Sequence, residues 1–276
     1  MFNSVVVPVL IVSLIGIIAA IILAVAAKFF AVPVDEKVVE LRNALPGANC
    51  GACGCAGCDE YAEKMAKGEA PPNLCVPGGA NAAKACASIL GTDAGETVEK
   101  RAYVKCRGNC EAAKKTMDYK GGMSCKELVS FYGGDKACEF GCLGMGDCVE
   151  ACEFDAIRVI DGVAVVNKDN CVGCGACAKA CPKGVIELGV ADKDFFVACN
   201  NKNMGYYAKK DCSNACIGCK ICEKSCPAGA VKVKDFLAHI DKELCTNCGK
   251  CFENCPTGAI LSYKKTEEKN PVSVEA

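Results

Sequence analysis

The chain has 276 residues, 27 of them cysteine, with no tryptophan, 6% aromatic residues and a formal charge of −1. An odd cysteine count in a chain of this length excludes a secreted disulfide framework, and scattered lysines and arginines without a basic block exclude nucleic-acid binding. So few aromatics rule out one large aromatic core and leave small modules that draw stability from metal ligation in a reducing compartment.

The first element, Val5–Ala27, is 23 residues without a charge, long enough to span a bilayer with some tilt. Ala24-Val25-Ala26 offers a rival reading as a signal-peptide cleavage site, but no basic stretch precedes the run and it exceeds a usual signal core. Lys28 and the lysine-containing segment after it favour the cytoplasm for the C-terminal side. The expectation is a single-pass anchor with its linker over 1–33, in the cell membrane, with the bulk of the chain on the cytoplasmic side.

The next unit covers 34–95. Glu36–Leu45 is predicted as a short amphipathic helix with Val38, Val39 and Leu41 inward, stopped by Pro46-Gly47. Then come Cys50, Cys53, Cys58 and Cys75, a four-thiolate set for one cubane, with Gly51, Gly54 and Gly57 letting the backbone wrap closely and donate N–H groups to sulfur. A zinc knuckle is the competing reading of this set. Asp59–Lys67 and the alanine-rich Asn81–Leu90 are predicted helices; Cys55 and Cys86 remain as buried small hydrophobes. Gly91–Thr97 is a polar break.

The remainder is a duplication. Tyr103-Val104-Lys105-Cys106 matches Phe196-Val197-Ala198-Cys199, and Cys138, Cys142, Cys148 and Cys152 match Cys212, Cys216, Cys222 and Cys226. Each copy ends in a Cys-x2-Cys-x2-Cys-x3-Cys-Pro run, Cys171–Pro182 and Cys245–Pro256. In such paired runs three close thiolates wrap one cubane, and the fourth, turned away by the proline, reaches the other. The second copy thereby has two complete sets: Cys216, Cys219, Cys222 with Cys255, and Cys226 with Cys245, Cys248, Cys251. The first copy completes Cys152, Cys171, Cys174 and Cys177, but Met145 stands where Cys219 stands in the second copy. Thioether is a poor ligand for a cubane iron. Cys138, four residues ahead of Cys142, is the expected replacement beside Cys142, Cys148 and Cys181; a three-iron cluster or a lost site are the alternatives. Cys106, Cys110, Cys125, Cys199 and Cys212 have no diagnostic spacing and are read as structural thiols, with a sixth site left open.

Between the runs, Ile157–Val166 alternates around Asp161-Gly162, a type I′ hairpin signal, and Val231–Ile240 is its counterpart. His239, the single histidine, falls on that second hairpin and is not read as a ligand.

The whole arrangement resembles the B subunit of the Rnf complexes, membrane-bound ion-translocating ferredoxin:NAD+ oxidoreductases, in its multi-cluster clostridial form. The resemblance rests on the apolar N-terminal helix, the Cys50/Cys53/Cys58/Cys75 module and the tandem ferredoxin runs, and covers nearly all of the chain. It implies an α+β chain with an N-terminal transmembrane helix, a small helical [4Fe–4S] module and two tandem 2[4Fe–4S] ferredoxin-like modules. The boundaries expected are 34–95, 96–190 for the first ferredoxin-like module with its N-terminal extension, 191–263 for the second, and 264–276 for a disordered charged tail. It implies five [4Fe–4S] clusters. The partners implied are reduced ferredoxin, membrane and flavin-bearing subunits and the lipid bilayer, with no nucleic acid. Electrons would pass from ferredoxin toward NAD+ while Na+ or H+ is exported. The chain is a translocase subunit with no catalytic side chains of its own. A polyferredoxin-type subunit of another membrane reductase is the alternative function, and a non-redox metal-binding scaffold a remoter one.

Overall fold

A computed structural model describes residues 2–29, 35–122, 124–131 and 133–263. The linker at 30–34 and the tail at 264–276 lie outside these residues. Helix α1 (Phe2–Phe29) has 28 residues and is about 42 Å long at the α-helical rise. Its described large side chains, from Leu10 to Val25, are exposed. Among the described residues no helix is long and apolar enough to cross a membrane. Side chains at 2–9, 12 and 27–29 of α1 are outside that set, which leaves described runs shorter than a crossing takes.

Helices α2 (Glu36–Ala44), α3 (Cys58–Ala66) and α4 (Gly79–Leu90) form the N-terminal module. The side chain of Asp35 accepts the Lys37 N–H and starts α2. Leu41 and Leu45 pack with Tyr61, Met65, Cys55 and Cys86. Val38 lies on the same stripe, but Val39, expected inward, is exposed. The inward face runs 38, 41, 45, and residue 39 lies about 100° round the helix from it. Tyr61 ties the turn between α3 and α4: its hydroxyl donates to Pro71 O at 2.7 Å and accepts Leu74 N–H at 3.1 Å, just before Cys75.

The first ferredoxin-like unit pairs β1 (Lys100–Val104) with β4 (Ile186–Val190), antiparallel, and encloses the hairpin β2 (Ile157–Ile160) and β3 (Val163–Val166). The second repeats this plan with β5 (Phe195–Val197) on β8 (Ile260–Ser262) and the hairpin β6 (Val231–Lys234) and β7 (Leu237–Ile240). Both hairpin turns carry two residues at positive φ, Asp161 and Gly162 at 49° and 76°, Asp235 and Phe236 at 46° and 58°, as a type I′ turn requires. Each turn presses on a cysteine loop. A Cβ on Gly144 would stand 2.5 Å from Gly162 O, and one on Gly218 2.8 Å from Phe236 O.

The cysteine runs turn into short helices: α6 (Asp147–Glu150), α7 (Ala176–Ala180), α9 (Ile221–Ser225) and α10 (Lys250–Glu253). Each begins after a left-handed residue, Gly146, Gly175, Lys220 or Gly249, which turns the chain out of the loop and into the helix that carries Cys148, Cys177, Cys222 or Cys251. Helices α5 (Cys125–Ser130) and α8 (Gly205–Asp211) belong to the connections. The two units pack through equivalent positions: the rings of Tyr103 and Phe196 lie 5.4 Å apart, and Tyr263 stacks on Phe196 at 5.0 Å while donating to Ala102 O at 2.5 Å. Buried Ile157, Val163 and Ile186 form the core of one unit, Val231, Leu237 and Ile260 that of the other, each mingled with cysteines.

Candidate metal centres

The sulfurs do not converge on points. Among the described residues no three His, Cys, Asp or Glu side chains stand as ligands of one bare ion would. Instead the cysteines ring cavities. Cys152, Cys171, Cys174 and Cys177, between the β2–β3 hairpin and α7, line one of about 340 Å3. Ala102 N–H and Ala156 N–H each point at a sulfur there, Cys171 Sγ and Cys152 Sγ, at 3.4 Å. Amide donors of this kind stabilise negative charge on sulfur, and the donor set is the one a cubane takes.

Other cysteines also stand near one another. Burial pushes Cys222 up to about 12, and Cys216, Cys255 and Cys219 beside it add to the shift. Burial raises Cys251 to about 11, with Cys245, Cys226 and Cys248 around it. Cys75 is raised by burial and by the nearby Cys58, Cys50 and Cys53. Buried thiols of this kind resist ionisation until iron supplies the compensating charge, so ligation must release their protons. Asn49 Oδ1 accepts Cys58 N–H at 2.9 Å and fixes the Cys50–Cys58 loop.

The residue expected in place of Met145 does not line the cavity of the other three thiols. A cavity of about 360 Å3 is lined by Cys142, Cys148, Cys181 and Cys125, not by Cys138. Burial raises Cys148 to about 12, with Cys142 and then Cys125 as its first charged neighbours. Cys125 begins α5, and Asp147 holds it in place: Oδ1 accepts Cys125 N–H at 2.6 Å, and Oδ2 accepts Lys126 N–H and the Ser124 hydroxyl, both at 3.2 Å. Backbone N–H groups of Asp147 and Met145 in turn point at Cys125 Sγ. Met145 itself packs with Leu128 and Leu143 against α5. The segment that lacks the cysteine therefore docks the helix that supplies another.

A signal for Cys125 was present in the sequence. The interval from Cys106 to Cys138 is 19 residues longer than its counterpart from Cys199 to Cys212, and Cys125 lies in that insertion. Cys138 sits elsewhere, on a third cavity of about 370 Å3 with Cys106, Cys199 and Cys212. Cys110 is exposed, and Cys55 and Cys86 are buried in the N-terminal core, with Cys55 still feeling Cys53. His239 is exposed on β7, paired across the hairpin with Lys232.

Three family descriptions match the chain: "Putative Fe-S cluster" over 45–77, "4Fe-4S binding domain" over 164–187 and "4Fe-4S dicluster domain" over 215–260. The chain is 45% identical over 242 residues to the B subunit of the Na+-translocating ferredoxin:NAD+ oxidoreductase complex of Acetobacterium woodii, covering 87% of this chain and 73% of that one. It is 40% identical to the B subunit of the proton-translocating complex of Clostridium ljungdahlii, covering 88% and 86%. To the B subunit of the ion-translocating oxidoreductase complex of Methanosarcina acetivorans it is 39% identical, covering 83% and 87%. With iron–sulfur family matches over three of its segments and these relatives, the chain belongs to the B-subunit family of the Rnf-type ion-translocating ferredoxin:NAD+ oxidoreductases.

Proposed function

We propose that this chain is the iron–sulfur electron-transfer subunit of such a complex, taking electrons from reduced ferredoxin and passing them to membrane and flavin-bearing subunits that reduce NAD+ and export ions. A bound [4Fe–4S] cluster supplies one-electron transfer. The chain's own residues hold the clusters in series, shield them and present the ends of the series to partners.

The observation that carries the direction is the contrast between the two ends. Cys219 and Cys248, in the C-terminal unit, are exposed, unlike the other residues of the five proposed ligand sets, which are buried or half-buried. A partner can approach these two sulfurs closely. Exposed Lys220 and Lys250 flank them and present positive charge to a partner made anionic by its own cluster. At the other end, Cys174 feels the charge of Cys50, so the N-terminal module abuts the first ferredoxin-like unit. Beyond that module lies α1, whose uncharged Val5–Ala27 run and helical length of 28 residues support an anchor in the cell membrane with the remainder cytoplasmic. The four-cysteine sets proposed are Cys50/Cys53/Cys58/Cys75, Cys125/Cys142/Cys148/Cys181, Cys152/Cys171/Cys174/Cys177, Cys216/Cys219/Cys222/Cys255 and Cys226/Cys245/Cys248/Cys251. The names of the relatives divide between Na+ and protons, and the exported ion is assigned to the membrane subunits.

The test mixes the anaerobically purified full chain in lipid nanodiscs with reduced low-potential ferredoxin and follows bleaching of the iron–sulfur absorbance. Rapid bleaching is expected. Full iron without bleaching would make this an internal relay fed by a different component of the complex.

A further inference from the structure

We infer that Cys106, Cys138, Cys199 and Cys212 hold a sixth [4Fe–4S] cluster, which joins the two ferredoxin-like units into one electron path. The inference rests on the electron-transfer reading and goes beyond the sets proposed above.

The site is built by the duplication itself. Each copy contributes the same two positions, Cys106 and Cys138 from the first, Cys199 and Cys212 from the second. The four sulfurs line one cavity, as the two cysteine sets of the first ferredoxin-like unit line theirs. The amide donors repeat as well. Cys142 N–H points at Cys106 Sγ at 3.2 Å, and its equivalent Cys216 N–H at Cys199 Sγ at 3.3 Å. Gly108 N–H also points at Cys106 Sγ, at 3.4 Å. Asn201 Nδ2 adds a donor to Cys138 Sγ at 3.4 Å. Four sulfurs with this many convergent donors are prepared for negative charge.

A buried cation points the same way. Lys136 lines the cavity and is 7% exposed; its Nζ donates to Gly108 O at 2.7 Å and Gly162 O at 2.8 Å. Both partners are carbonyls, and among the described residues no carboxylate pairs with it. A buried charge without a counter-ion is costly, and an anionic cluster in this cavity supplies one.

The position gives the site its role. Cys106 accepts the N–H of Cys142, a member of the proposed Cys125 set, and Cys199 accepts that of Cys216, a member of a set in the second unit. The series then runs from the second unit through this site to the first unit and, where Gly51 approaches Lys179, to the N-terminal module. One electron arrives and one leaves; no bond is made or broken, and the reductant is the reduced ferredoxin of the proposed function.

The test counts iron, zinc and labile sulfide on the anaerobic full chain and its Cys199→Ser, Cys106→Ser and Cys110→Ser variants, then reduces each with low-potential ferredoxin. The expected result is about 24 irons for the natural chain and for Cys110→Ser, and about 20 for the other two, at four per cubane. In Cys199→Ser rapid bleaching should stop at two clusters' worth of electrons, those of the second unit. About 20 irons in the natural chain, with or without one zinc, would overturn the sixth cluster even where ferredoxin still bleaches the sample. Should both site variants fail to fold, the count on the natural chain decides alone. A natural chain with about 24 irons that ferredoxin does not reduce would leave the site standing and sink the ferredoxin role.

Discussion

The two ferredoxin-like units place four cysteines around the corresponding centre by different routes. In the second, Cys219 arrives inside the run itself, one residue after Gly218, and is exposed. In the first, the equivalent residue is Met145, and Cys125, from an inserted segment, is buried on the same cavity at the start of α5 and clamped by Asp147. A ligand within the run is positioned by the turn that shapes the run. A ligand from outside needs its own docking contacts, and in exchange it covers the centre. The comparison teaches why one copy presents sulfur to a partner while the other is enclosed in the middle of the series.

The sharpest way to break this comparison is Cys125→Ala. Loss of about four irons per chain is expected on analysis of the purified protein, and Met145→Cys in the same chain should restore them. Iron retained in the single variant would return the ligand role to another residue. A smaller effect is expected for Asp147→Ala, which removes the carboxylate that accepts Cys125 N–H and Lys126 N–H. A lost cap of this type costs about 1–2 kcal/mol, here felt as a loosening of α5. Release of four irons to a chelator several-fold faster than from the natural chain would register it; unchanged release would show that Met145 and Leu128 hold α5 without help.

Gly218→Ala sharpens the comparison in the second unit. The residue sits at φ +63°, and its new Cβ would meet Phe236 O at 2.8 Å. Left-handed backbone costs a non-glycine residue about 1–2 kcal/mol, with the overlap in addition, so the melting temperature of the holo-chain should fall by several degrees. Gly144→Ala should do the same in the first unit. A large fall in one unit only would show that the hairpin turn of the other yields. The smallest effect is expected from Tyr263→Phe. It removes the bond to Ala102 O, worth about 1 kcal/mol, and leaves the stacked rings. A fall in stability of that size by denaturant unfolding is expected; a zero effect would mean that ring packing alone joins the two units.

Much of this was legible in the sequence where ligands are local. Cys171–Pro182 and Cys245–Pro256 state their turns in their spacing, and both hairpins announce themselves by alternation around a two-residue turn, including Asp235-Phe236, where neither central residue is glycine. The helices of the N-terminal module begin and end within two residues of expectation, with Val39 on the wrong face. The place of Cys138 is the part that spacing does not carry. It stands four residues from Cys142 in sequence, but the two sulfurs line different cavities, Cys142 with Cys125, Cys148 and Cys181, and Cys138 with Cys106, Cys199 and Cys212.

By itself the sequence determined that the chain is a series of cubane-binding modules, because three thiolates at fixed short spacing can only close on one centre and the following proline sends the fourth to its neighbour. Only the tertiary structure brings Cys125 onto the cavity of Cys142, Cys148 and Cys181, and Cys106, Cys138, Cys199 and Cys212 onto another. Those sulfurs come from segments separated by up to 106 residues, and they meet because the equivalent strands β1 and β5 pack on each other through Tyr103 and Phe196. Spacing along a chain carries no record of such a contact; the burial that brings the two copies together does.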